Sequence, residues 1–348
     1  MAMTVSGVAV QELMVMESVR VFSGAGFASL KAAREAMVRL AVDAGVFQEE
    51  CEALHPKGYY AADVSAAEMI ARQTVLLSRL SCWNIAFTAL VDSLRLTSKT
   101  RILPAQQTAT IALLSAYHAM TRTMVSICTS PRKVVTDAYL PNFRAIVQHS
   151  RLALDASARS DGTQPPFTFD IGVGFPVWFT CLRCADPGIR REALELLRRA
   201  PQVEGFYGNG TITVSAEGVM LIEEGFAAVI NTCRNQSPSP GSLDGGIDTS
   251  TITMFDVTRI VAAQSGDGAG PSYHPILTAG DIPEEARIKP LVPFKPRDGI
   301  PPALTREYVE RWGKGPDSWF LVFTRLDRDR GSGLWFEVFD CVPAELEP

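Results

Sequence analysis

Positive charge is in short supply: 33 Lys+Arg stand against 38 Asp+Glu, a net charge of −5. Such a chain lacks the basic footprint that neutralises phosphates, so direct binding to nucleic acid is not expected. Histidine is scarce as well, with 4 in 348 residues. None of them falls with cysteines at a spacing suited to zinc, so neither a metal nor a cofactor is expected. The N-terminus MAMTVSGVAVQEL has no basic stretch leading into a long apolar core, which argues against a secretory leader. No uninterrupted apolar run approaches the roughly 20 residues needed to cross a bilayer, so no membrane span is expected either. Walker and G-x-S-x-G signatures are missing. The seven cysteines are odd in number and scattered through apolar segments. They fit buried thiols in a reducing, intracellular compartment, cytoplasmic or nuclear.

What remains is the profile of a globular protein, 47% hydrophobic and 20% charged, with volume for one large or two smaller cores. Apolar positions Leu30, Met37, Leu40, Ala41, Ala44 and Val46 recur at helical spacing and predict a helix over 29–50. Ser65 and Glu68 form a capping box that opens a further helix. Residues 82–96 and 105–127 are apolar around most of their circumference and belong in the middle of a bundle. Pro131 interrupts the pattern, and another helix is expected over 141–158. After a Gly/Pro-rich entry, a helix is expected over 177–184; Asp186 then reads as an N-cap with Pro187 in the first helical position. A helix over 214–233 follows. Residues 237–246 and 264–303 are rich in turn-forming residues and predict long irregular segments. Near the end, SWFLVFTRL and LWFEVFD flank DRDRGSG and predict a β-hairpin. The expected fold is mainly α, a multi-helix bundle with a small C-terminal β-hairpin. An N-terminal segment, 1–64, is expected to pack on a helical domain over 65–345.

One block stands out. In residues 172–209, Cys184, Asp186, Pro187, Arg190, Arg191, Ala193, Leu196, Leu197, Glu204 and Gly205 resemble the C-R-D-P-x-x-R-R-x-A-x-x-L-L…E-G pattern in the regulatory domain of fungal binuclear-zinc-cluster transcription factors. Ala185 stands where that pattern has a basic residue. Asp137 and Phe143 match an acidic turn between aromatic-rich helices, and GVMLIEEGFAAVI matches an Ile-Glu-Glu cluster. The resemblance implies an α-helical, dimer-forming domain of fungal secondary metabolism that senses hydrophobic small molecules. In those regulators a six-cysteine zinc module precedes the domain. None precedes it in the sequence from Met1 onward, so a stand-alone copy without its own DNA reader is expected.

Candidate chemistry lies in polar residues inside apolar helices, because burying such groups unpaired costs about 1–3 kcal/mol. Arg72, Asn84, Asp92, His118 and Glu223 qualify. An enzyme reading makes His118 the acid or base, with Asp92 or Glu223 orienting it, in hydrolytic release or cyclisation of a polyketide to a lactone or α-pyrone. Arg72, Asn84, Trp178 and Tyr207 would then contact substrate. The competing assignment is structural: a core histidine bonded to a carbonyl, and interhelical ion pairs for Arg72, Asp92 and Glu223. Under it the chain is a ligand-sensing co-regulator, a homodimer or the partner of a complete transcription factor. Cys181-x-x-Cys184 and the glycine turn of 23–29 are read as core thiols and a plain turn.

Overall fold

The computed structural model describes residues 26–54, 64–98, 100, 102–130, 132–205, 207–236, 252–265, 278–289, 292–329 and 334–344. The fold is mainly helical, with a small antiparallel sheet near the C-terminus. Its residues divide into two compact units. The first holds residues 1–131, 138–180 and 195–207; the second holds 132–137, 181–194 and 208–348.

In the first unit, α1 (Leu30–Leu54), α2 (Val64–Thr97), α3 (Ala105–Ile127) and α4 (Leu140–Ser157) form a helical bundle in which α3 contacts each of the other three. Ser29 Oγ accepts from Ala32 N and caps the start of α1. The last residue of the glycine turn is thus a helix cap; residues 23–25 of that turn lie outside the described residues. Trp83 is fully buried and ties three helices together. Its indole N–H donates to Ala33 O at 2.9 Å, and its ring stacks on Phe87 and His118 at 4.6 and 5.4 Å.

Helix α2 differs from the sequence expectation in three ways. It begins at Val64, so Ser65 is inside the first turn; the side chain of Ser65 lies outside the described residues. The two helices expected over this stretch are continuous, because Ser81 Oγ turns back onto Leu77 O instead of ending the helix. Among the described residues one helix, Ala67–Thr97, is long and apolar enough to cross a membrane by length and composition, although Arg72, Arg79, Asp92 and Arg95 interrupt it. Its circumference is only partly covered: Ile85 and Leu96 are more than two-thirds exposed, and Asn84 and Asp92 are exposed too.

Two helices contribute residues to both units. α5 (Gly174–Arg183) starts earlier than expected, and α6 (Pro187–Arg199) begins as the sequence predicts. Asp186 Oδ1 accepts from Ile189 N at 2.9 Å, the N-cap bond, and Ile189, Ala193, Leu196 and Leu197 form the buried face. The strands β1 (Phe167–Thr168), β2 (Val203–Glu204) and β3 (Tyr207–Gly208) make a small sheet in which β1 and β2 run parallel.

The second unit is built on α7 (Asn209–Gln236), α8 (Met254–Ser265) and a sheet ordered β4 (Val292–Phe294), β5 (Trp319–Arg328), β6 (Trp335–Ala344). The expected hairpin is β5–β6, antiparallel over ten residue pairs from Trp319↔Ala344 to Arg328↔Trp335. Its turn, 330–333, and the predicted loop 237–246 lie outside the described residues. The antiparallel partner β4 was not expected; it is three residues long and lies in a proline-rich stretch that carries no alternating pattern. Nor was α8, where Thr253 and Asp256 form a capping box. α7 and α8 approach closely at Gly225, where an added Cβ would meet Val257 Cγ1 at 3.0 Å. Phe226, Ile230, Val257, Ile288 and Phe323 form the core between these helices and the sheet.

Candidate functional site

The residues proposed for catalysis occupy three different settings. His118 sits on α3 with its ring against Trp83. Its Nε2 lies 3.1 Å from Leu80 O; a carbonyl only accepts, so Nε2 carries the proton. Burial lowers its pKa to about 4. The ring is therefore neutral at pH 7 and gains its proton well below the range in which an ordinary histidine titrates. Asp92 is on the exposed side of α2, and its ionic partner is Arg95, one turn along the same helix, at 3.8 Å. Asn84 is exposed on that helix as well. Both residues were expected to be buried; helical phase carries them away from the face that holds Trp83, Phe87 and Leu90.

Glu223 meets the expectation of a buried carboxylate, and its bonds define its role. Its Oε2 accepts from Arg190 Nη1 at 2.6 Å, and its Oε1 accepts from Ile288 N at 2.8 Å. Arg190 is fully buried. Its Nε and Nη2 find no hydrogen-bond partner among the described residues. Next to it, Arg191 Nη2 donates to both carboxylate oxygens of Glu224 in an exposed pair. The adjacent arginines and adjacent glutamates of the sequence block thus join α6 to α7 as two parallel interhelical pairs. Arg72 pairs with Glu50 and lies over the Phe47 ring, joining α2 to α1. These are the architectural pairs named as the competing reading. The Asp137 carboxylate accepts from Arg287 Nη1 and Nη2, at 3.1 and 2.9 Å.

Cys181 and Cys184 are both buried. The Cys181 sulfur lies 3.7 Å from Arg190 O, and burial raises the Cys184 thiol to about 12. A thiol held so firmly protonated is inert. Among the described residues, no group of three His, Cys, Asp or Glu is arranged to hold a metal ion.

Sequence reasoning did not anticipate the construction around residues 166–178. Backbone bonds from Val203 N to Pro166 O and from Gly205 N to Thr168 O pin this segment to β2. Gly205 can continue the chain there because its φ of +61° suits glycine. Glu204 is buried, and its Oε2 accepts from Gly174 N at 2.9 Å, satisfying a free amide at the start of α5. Its carboxylate occupies the place a side chain at 172 would take: a Cβ there would lie 2.2 Å from Glu204 Cδ. Gly172 is thus required by the close approach. Arg34 pairs with Asp170 from α1. The Glu-Gly of the sequence block, read above only as part of a resemblance, is a clamp.

On this clamped segment stand three exposed phenylalanines: Phe167 at 41%, Phe169 at 92% and Phe175 at 36%. Phe167 and Phe169 meet edge to face at 4.5 Å, and Phe175 lies against Trp178 at 5.6 Å. Trp178 is half-buried, with an indole N–H that has no partner among the described residues. Tyr207 belongs to β3, and its side chain lies outside the described residues. No family model, curated protein or solved structure matches this chain.

Proposed function

We propose that the chain is a non-catalytic regulatory domain, of the kind it resembles in fungal zinc-cluster regulators, that works by associating with another such domain. The observation that carries this reading is the set of exposed phenylalanines on a backbone fixed by Glu204, Gly205 and Asp170. A mobile loop shields its aromatics by collapsing, whereas a rigid segment that holds Phe169 at 92% exposure presents apolar area for burial elsewhere. In purified protein the available partner is a second copy.

The catalytic reading draws no comparable support. It needs His118 to exchange protons near pH 7 and a carboxylate to orient it. The imidazole is neutral and engaged with Leu80 O. Asp92 is at the surface, and Glu223 is engaged with Arg190 and with the amide of Ile288. Removing Glu223 from those bonds would leave a fully buried guanidinium without its counter-charge, so a role in turnover would compete with folding.

Light scattering over a concentration series tests the association. The wild-type chain is expected to shift from monomer to dimer mass as concentration rises, and Phe169→Asp is expected to remain monomeric with unchanged helicity. Conversion of linear polyketide esters by purified protein, abolished in His118→Gln, would overturn the reading.

A further inference from the structure

On α1, Val38, Val42 and Val46 stand 42%, 60% and 49% exposed. Their four-residue spacing puts them on one face of the helix, turned away from the face of Met37, Leu40, Ala44 and Phe47 that is buried in the bundle. Helix formation does not call for them there, since β-branched residues lose side-chain freedom in a helix and an exposed position gives no packing in return. One turn before Val38, on the same face, Arg34 pairs with Asp170, the residue that follows Phe169. The valine stripe is therefore continuous with the segment that carries Phe167 and Phe169.

That continuity matters because the phenylalanines alone are too small a surface. A standard interface buries about 800 Å² from each partner, of which somewhat over half, roughly 450 Å², is apolar. At their exposures Phe167, Phe169 and Phe175 offer roughly 350 Å². The three valines add roughly 200 Å² and carry the total past that mark.

We propose that the valine face of α1 completes the association surface of the phenylalanine segment and packs antiparallel on α1 of a second copy, an inference that rests on the role assigned to that segment. The charges at the ends of the stripe choose the direction. Lys31 is exposed before the valines and Glu49 after them. Antiparallel packing that sets Val38 against Val42 of the second copy also sets Lys31 against its Glu49, twice in each dimer. A parallel arrangement would set Lys31 against Lys31 and Glu49 against Glu49. Glu35, which lies on the same face, falls opposite Gly45, which has no side chain to oppose it.

The test is the molar mass of the full chain by light scattering over a concentration series in low salt, for wild type, Phe169→Asp and three α1 variants. Val42→Lys, at an exposed position where folding is not at stake, is expected to raise the dimer dissociation constant at least about tenfold with helicity unchanged. Lys31→Glu is expected to raise it about fivefold, and Lys31→Glu combined with Glu49→Lys to bring it back within about twofold of wild type. Val42→Lys dimerising as wild type does, while Phe169→Asp is monomeric, would overturn this proposal and leave the phenylalanine surface standing. Loss of the dimer in Val42→Lys but not in Phe169→Asp would sustain the helix pairing and remove the phenylalanine role. A wild-type chain that stays monomeric throughout, or a double charge variant no tighter than Lys31→Glu, would overturn the helix pairing itself.

Discussion

The two units place their charges differently. In the first, Arg34–Asp170, Arg72–Glu50, Arg79–Asp43 and Arg199–Asp155 all lie at the surface, with side chains roughly one-third to more than one-half exposed. In the second, Arg190–Glu223 and Arg325–Asp327 are buried to within 3% on both sides, and Arg287 is equally buried against Asp137. Arg325 also donates to Ile252 O and lies 5.0 Å from the centroid of the Phe226 ring. Surface pairs exchange water for weak, screened contacts and add little stability. Buried pairs repay desolvation only with good geometry, but neither member can be removed alone. The first unit is thus held by aromatic and aliphatic packing around Trp83, whereas the second, beside surface pairs of its own, buries charge pairs that join α6 to α7 and brace Arg325 within the sheet.

Glu223→Ala breaks this contrast most severely. It strands Arg190 in the core and is expected to destabilise the second unit by about 3–5 kcal/mol, read as a lower urea midpoint. Replacing both partners, Arg190→Met with Glu223→Leu, is expected to recover most of that loss. A double variant as unstable as the single one would refute the keying role.

Acid tests the first unit. The His118 pKa is about 4 in the folded chain, below its ordinary 6.5, so the unfolded chain binds the proton first. Its contribution is full above pH 6.5 and is lost as pH falls toward 4. The loss is up to roughly 3 kcal/mol, at about 1.4 kcal/mol per unit. His149, lowered by burial, acts in the same direction, and Asp340, raised by burial, acts in the opposite one. The difference between wild type and His118→Gln isolates the contribution; identical pH profiles would contradict it.

Two smaller effects sharpen the comparison. Gly172→Ala drives a methyl into the Glu204 carboxylate and breaks its bond to Gly174 N. A loss of about 1–3 kcal/mol is expected by thermal denaturation. Arg79→Met removes a surface pair and is expected to change stability by less than about 1 kcal/mol.

Much of the fold was legible because the relevant signals are local. The spacing of Leu30, Met37, Leu40 and Ala44, the Asp186-Pro187 start of α6 and the aromatic runs of the hairpin each act within a few residues. The partners of the polar residues were not. Nothing near His118 announces Leu80 O as its acceptor, and nothing near Gly172 announces Glu204, 32 positions along the chain. The continuity of α2 through Ser81 and the exposure of Asn84 and Asp92 depend on which neighbours cover the helix, and composition does not encode that. One signal was present in the sequence: Phe167, Phe169 and Phe175 crowd into nine residues beside Gly172 and Gly174. Three large apolar residues on an irregular segment are a surface feature as readily as a core one.

The most direct test of the account is the molar mass of wild type and Phe169→Asp measured side by side by light scattering across a concentration series. The account predicts a concentration-dependent dimer for wild type and a folded monomer for the variant. Equal masses at every concentration, in two chains of equal helicity, would contradict it.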